Sequence, residues 1–249
     1  HQDAISLNPV LFKRIKDLYD ARESLGLNSE DAWLLERYYK DLIHEGAHLT
    51  EAQRDRLKEL NEELSSLETQ FSKNVLADTN DLAILVDSVE ELDGLSENQI
   101  AAAAAAAKDR GHDGKWLIGM VNFTGNPVLD SLTNRDLRKK IMEASLLKAI
   151  RANDNDNKQV LLKMVKLRAE RAKLFGKETH AEHVIAVQTA EHPDNVHAML
   201  RKIAPAAVRN ARAEAEDLKK SAGTDIESWD WGFYTEKVRV EKYNIDTTK

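Results

Sequence analysis

The stretch 51–75, EAQRDRLKELNEELSSLETQFSKNV, decides the fold class. Leu57, Leu60, Leu64, Leu67 and Phe71 recur at alternating steps of three and four, so a helix from about Glu51 to Val75 buries a coiled-coil-like seam. Its start is marked by Thr50-Glu51-Ala52-Gln53, a capping box whose hydroxyl and amide satisfy the first free N–H groups. Just upstream, Gly46 can end a preceding helix that carries Trp33, Leu35, Tyr38, Leu42 and Ile43 on one face. The two are expected to form an antiparallel helical hairpin, with Phe12, Ile15, Leu18 and Tyr19 marking a further helix before it.

Downstream, Ala83–Val86 and Trp116–Val121 are short apolar runs bounded by turn formers and read as two strands of a small ribbon. Between them the Ser96-Glu97-Asn98-Gln99 box leads into Ala101–Ala107, a low-entropy helical tract that reads as structural filler and ends near Gly111. From Asn134 the pattern predicts helices over 135–152, 158–175 closed by Gly176, 179–189 and 194–220. Pro205 removes a hydrogen bond inside the last, so a kink or break is expected at Ile203–Ala204. No fixed-period repeat appears. The reading is mainly α: an irregular multi-helix domain with a small two-stranded β ribbon, divided into a helical hairpin region at 1–78 and a helical region with the ribbon at 79–249.

Composition agrees. Of 249 residues 42% are hydrophobic, enough for a core, while 32% charged, 6% aromatic, 4 Pro and 10 Gly disfavour an all-β chain. Lys and Arg number 36 against 43 Asp and Glu, a formal charge of −7, so no net positive field favours nucleic acid. The absence of cysteine excludes disulfides, thiolate metal sites and a thiol nucleophile, and fits a cytoplasmic location. No run approaches the roughly twenty apolar residues of a membrane span. Because the sequence starts at His1 without Met and stops at Lys249 just past a Trp- and Tyr-rich segment, it is expected to be a piece of something longer.

The loudest short motif is His44-Glu45-Gly46-Ala47-His48, a literal H-E-x-x-H that on one helix would grip zinc with a glutamate as general base. Gly46 and the Thr50 box place a helix end inside it, so His44 and His48 should not share a face, and both read as a solvated connector. Glu62, Glu63 and Glu68, the nearest candidates for a third ligand, read as an ordinary charged surface. Asp154-Asn155-Asp156-Asn157 imitates a calcium loop but has Gln159 where glycine is required and Val165 where a glutamate is required; it reads as a polar turn capping the next helix. His180, His183, His192 and His197 read as scattered surface histidines. No nucleophile elbow or phosphate loop is present.

Two longer segments carry a family resemblance. Leu167-Arg168-Ala169-Glu170-Arg171-Ala172-Lys173-Leu174-Phe175-Gly176, followed by His180-Ala181-Glu182-His183, resembles the "LRxErAxLLGfxxyAe" stretch of the thimet oligopeptidase family of zinc metallopeptidases. Trp229-Asp230-Trp231-Gly232-Phe233-Tyr234 with Lys237, Arg239 and Tyr243 resembles that family's "WDxxyYxxKxrxxxY" signature. Asn134-Arg135-Asp136-Leu137-Arg138 and the 57–71 helix fit as well. The likeness covers nearly the whole chain and is strongest to the bacterial peptidyl-dipeptidases, then oligopeptidase A.

The resemblance implies a larger two-lobed helical peptidase in which one zinc ion lowers the pKa of bound water to about 7 for attack on short peptides. In that family H-E-F-G-H lies C-terminal to the "WD" signature, with a glutamate ligand further on, whereas this sequence ends at Lys249 first. No catalytic, cofactor-binding or metal residue is therefore expected among these 249: zinc belongs to the parent enzyme, the piece alone is inactive, and its role is one wall of the substrate channel. Its partners would be short peptides and the absent catalytic domain, not nucleic acid or membrane. The competing readings are a free-standing interaction module using the Leu57–Phe71 seam, and a small zinc protein built on His44 and His48.

Overall fold

A computed structural model describes residues 2–120 and 126–244. The chain is mainly α with one two-stranded antiparallel ribbon. In order come α1 (Gln2–Ser6), α2 (Pro9–Asp20), α3 (Ser29–Glu45), α4 (Glu51–Asp81), β1 (Ile84–Val86), α5 (Glu97–Asp109) and β2 (Trp116–Ile118). α6 (Arg135–Leu146), α7 (Lys158–Leu174), α8 (His180–Ile185), α9 (Pro193–Ala222) and α10 (Trp231–Tyr243) follow. Contacts divide it into two compact units, residues 1–70 with 159–201, and residues 71–158 with 202–249. Among the described residues no helix is long and apolar enough to cross a membrane.

In the first unit the seam of α4 is internal: Leu57, Leu60, Leu64 and Leu67 are all buried. Removing each from water contributes about 1.5–3 kcal/mol. α4 is tied to α7, antiparallel, by Arg56–Glu170 (2.8 Å), Arg168–Glu68 (3.0 Å) and the Lys163–Glu63 pair. α3 pairs with α2, where Tyr39 stacks on Tyr19 at 4.0 Å. Apolar spacing marks a buried face, but the partner is chosen by which other face matches it in charge and shape. The capping box at Thr50 forms, with Thr50 N–H donating to Gln53 Oε1 at 3.0 Å. Gly46 ends α3 at φ +106°, where a Cβ would also meet Leu57 Cδ2 at 2.6 Å.

The second unit is organised around the ribbon, with Ile84, Leu85 and Val86 opposite Ile118, Leu117 and Trp116. Its core joins Val86, Leu92, Leu95, Ile118, Met120, Leu132, Leu137 and Ile141. β2 ends at Ile118, and Val121, the end of the expected run, lies outside the described residues. The alanine tract is more than filler: Ala103 and Ala107 are buried, their small side chains letting α5 approach the ribbon closely.

Several helices differ from expectation: α4 runs on to Asp81 and α8 stops at Ile185. α6 stops at Leu146 because Ala149 and Ala152 take positive φ and the loop folds back onto Asp78, a fully buried carboxylate. Asp78 accepts from Ala149 N–H (2.7 Å), Arg151 (2.7 Å) and Asn155 (3.0 Å), so the 154–157 segment does more than cap α7. Asp156 does accept from Lys158 N–H at 2.9 Å. α9 is not broken at Pro205. Residues 198–214 are exposed, so water can satisfy the carbonyl that the proline leaves without a donor.

Candidate functional site

The helix end inside His44-Glu45-Gly46-Ala47-His48 sends its two histidines different ways. His44 closes the last turn of α3, and His48 is exposed in the turn after Gly46, between the buried Ala47 and Leu49. The connector reading fits His48 but is corrected for His44, whose ring lies on His183 at 4.2 Å between centroids and 7° between planes. His183 is itself buried, a second correction, because α8 begins at Thr179, whose hydroxyl accepts from Glu182 N–H, and turns its one-sided face inward. There His183 also stacks on Phe175 at 4.2 Å.

Burial pushes the His183 imidazole down to about 4, helped by the neighbouring His44 and the Arg171 cation. Burial also lowers His44 and His180. The stack is therefore neutral at pH 7, the protonation state a metal would require. Its geometry does not fit zinc, however. Imidazole lone pairs lie in the ring plane, and two rings stacked face to face direct them in parallel rather than onto one ion about 2 Å from each nitrogen. Among the described residues no group of three or more His, Asp or Glu side chains could hold a metal. Glu63 is engaged by Lys163, and His192 and His197 lie exposed on and before α9.

A cavity of about 810 Å³ opens beside the stack, lined by Asp3, His44, Asn61, Arg171, Phe175 and His183 and rimmed by Glu45, Glu62 and Glu68. Arg171 was legible as an intruder: on α7 the buried stripe Val160, Met164, Leu167 continues at the same spacing through Arg171 to Leu174. It donates to Asn61 Oδ1 at 3.3 Å, and its Nε is buried without a partner. Burial lowers its pKa, as does Arg168, while Glu45, Glu68 and Asp3 oppose. Asn61 sits on α4 between the seam positions Leu57 and Leu64, where a polar residue likewise signals something to be satisfied.

In the second unit the Asn134–Arg138 segment meets the Trp229-Asp230 signature. Arg138 of α6 donates to Asp230 Oδ1 at 2.7 Å, with both side chains essentially inaccessible at 2% and 1%. Arg138 also donates to the carbonyls of Trp229 (3.2 Å), Leu132 (2.8 Å) and Thr133 (3.1 Å), and lies over the Phe233 ring at 4.3 Å. Arg135 grips the other Asp230 oxygen at 2.7 Å. Burial pushes the Asp230 carboxyl up, but the bonds from Arg135, Arg138 and the Glu227 N–H, with the Arg135 charge, together outweigh it and the net shift is downward. The "WD" aspartate thus fixes the start of α10 to α6, and Arg135 and Arg138 supply the grip.

That pairing gives the resemblance a structural basis. The model of peptidase family M3 matches residues 128–249, the part that contains both Arg138 and Asp230. The match agrees with the resemblance to the thimet oligopeptidase family of zinc metallopeptidases. The chain is 36% identical over 247 residues to dipeptidyl carboxypeptidase of Escherichia coli, covering 97% of this chain and 36% of that protein. It is 32% identical over 248 residues to oligopeptidase A of Haemophilus influenzae (93% and 36% covered). To a probable cytosolic oligopeptidase A of Arabidopsis thaliana it is 29% identical over 251 residues (95% and 35% covered). The chain spans about a third of the length of the curated relatives it matches.

Proposed function

We propose that these residues form a non-catalytic portion of a zinc-dependent peptidyl-dipeptidase or oligopeptidase that hydrolyses short peptides, and that they build one wall of its substrate channel. The observation that carries this is likeness to named peptidases over nearly the whole chain, together with a donor set at His44, His48 and His183 that does not fit the metal. Zinc, when bound in the parent enzyme, polarises water for attack on the scissile carbonyl. The residues of this chain instead supply shape. The α4–α7 pair and the Arg138–Asp230 anchor hold helices that would exclude folded substrates sterically. The partners are short peptides and the catalytic domain that carries the metal motif; the location is cytoplasmic.

Metal analysis of the dialysed chain tests the assignment: sub-stoichiometric zinc is expected, and one full equivalent would replace this reading with a zinc site on His44 and His48. The channel-wall role predicts that a full-length relative lacking its counterpart of residues 1–76 accepts longer or folded substrates. An unchanged size limit would count against it. The interaction-module reading gains nothing from the seam, since Leu57 to Leu67 are buried within the chain.

A further inference from the structure

The cavity of the first unit holds two opposite charges that the fold keeps apart. Arg56, Arg135, Arg138, Arg151 and Arg168 each have a carboxylate within 3.0 Å. Among the described residues Arg171 has no ion pair, although it stands on a buried stripe and Asp3 lines the same cavity. Asn61 explains the separation. Its amide Nδ2 donates to both Asp3 oxygens, at 3.1 and 3.2 Å, and its Oδ1 accepts from Arg171 Nη1 at 3.3 Å. A side-chain amide is thus wedged between a carboxylate and a guanidinium that would otherwise neutralise each other.

Such an arrangement suits a molecule bearing both charges. A guanidinium offers five donors in a fork that matches a carboxylate, and on Arg171 the one bond to Asn61 engages only part of that set. A carboxylate has about four acceptor sites, of which Asn61 engages only part on Asp3. A simple anion is disfavoured, because Asp3, Glu45, Glu62 and Glu68 outnumber Lys58 and Arg171 around the opening. A simple cation would leave Arg171 uncompensated. The wall between is apolar and aromatic, from Leu57, Phe175 and the His44–His183 stack. A dipeptide is about 7 Å long when extended, within the reach of a cavity of about 810 Å³.

We propose that this cavity binds a small zwitterion, an amino acid or short peptide, with its carboxylate on Arg171 and its ammonium on Asp3. The inference goes beyond the peptidase reading and does not depend on it. Calorimetric titration of the 249-residue chain with alanine, Ala-Ala, and the N-acetyl and C-terminal amide forms of each tests it. Saturable 1:1 binding of alanine or Ala-Ala is expected. Blocking either terminus of the one that binds should weaken binding at least about tenfold, as expected for loss of a charge-assisted contact. The tighter of alanine and Ala-Ala identifies the ligand as amino acid or peptide. Arg171→Gln should abolish the discrimination between the tighter of the two ligands and its amide while thermal unfolding shows that the variant remains folded. If neither alanine nor Ala-Ala binds, or if the blocked forms bind as well as the free ones, the proposal is wrong; because this comparison is made on the unaltered chain, it stands even if the variant fails to fold.

Discussion

Arg138 and Asp230 are 92 residues apart in sequence and 2.7 Å apart in space, buried together where α6 meets the start of α10. A pair of this kind is costly to split, because removing one partner leaves the other charged and dehydrated. Arg138→Met should therefore destabilise the chain by about 3–5 kcal/mol in urea unfolding. The double variant Arg138→Met/Asp230→Leu should recover part of that loss. A loss in the double variant equal to the sum of the losses in Arg138→Met and Asp230→Leu alone would show that the pair is not coupled.

Asp78 makes the same argument with neutral partners added. It is fully buried, and bonds from Arg151 first, with the Ala149 amide, Asn155 and Asn153, hold its carboxyl well below the usual carboxylate range against the effect of burial. Asp78→Ala should cost about 3 kcal/mol or more and loosen the 147–157 loop, seen as faster amide exchange at Ala149. Unchanged protection at Ala149 would contradict the assigned bond.

His183 gives the chain a pH dependence with a definite sign. The fold holds it neutral, with its pKa moved from 6.5 down to about 4, chiefly by burial. Its contribution is complete above pH 6.5, falls as the pH drops from 6.5 towards 4, and is gone below that, at most about 3 kcal/mol in all. His44, also lowered by burial, acts in the same direction. Urea midpoints should therefore decline between pH 7 and pH 4.5, and His183→Phe, which keeps the stack, should flatten the decline. An equally steep decline in His183→Phe would place the titrating group elsewhere.

Pro205 lies in an unbroken, exposed stretch of α9. Pro205→Ala restores a helical donor and should stabilise by about 1–3 kcal/mol, read as a raised melting temperature. A lowered melting temperature would show that the proline fits a bend the fold requires.

These residues also mark how far the sequence could be read. The seam of α4, the capping boxes at Thr50 and Ser96 and the ribbon runs are local signals, set by spacing and by atoms within four residues, and all are present. The ties of α4 to α7 were not legible, because the charges they pair lie at least 100 residues apart in sequence. Asp78 looked like any acid on a charged helix; what buries it are Ala149 and Arg151, more than 70 residues away. His183 looked like a surface histidine for the same reason, its neighbours His44 and Phe175 coming from α3 and the end of α7. Arg171 and Asn61 carried a local sign, a polar residue on an apolar stripe, whose meaning depends on Asp3 across the cavity.

The claim on which the rest depends is that peptide-bond chemistry is not performed by these residues. Incubating the purified chain with a blocked tetrapeptide, with added zinc and with or without a chelator, tests it most directly. The account predicts no cleavage above the background of buffer and zinc alone in either condition, whereas hydrolysis that the chelator abolishes would contradict it.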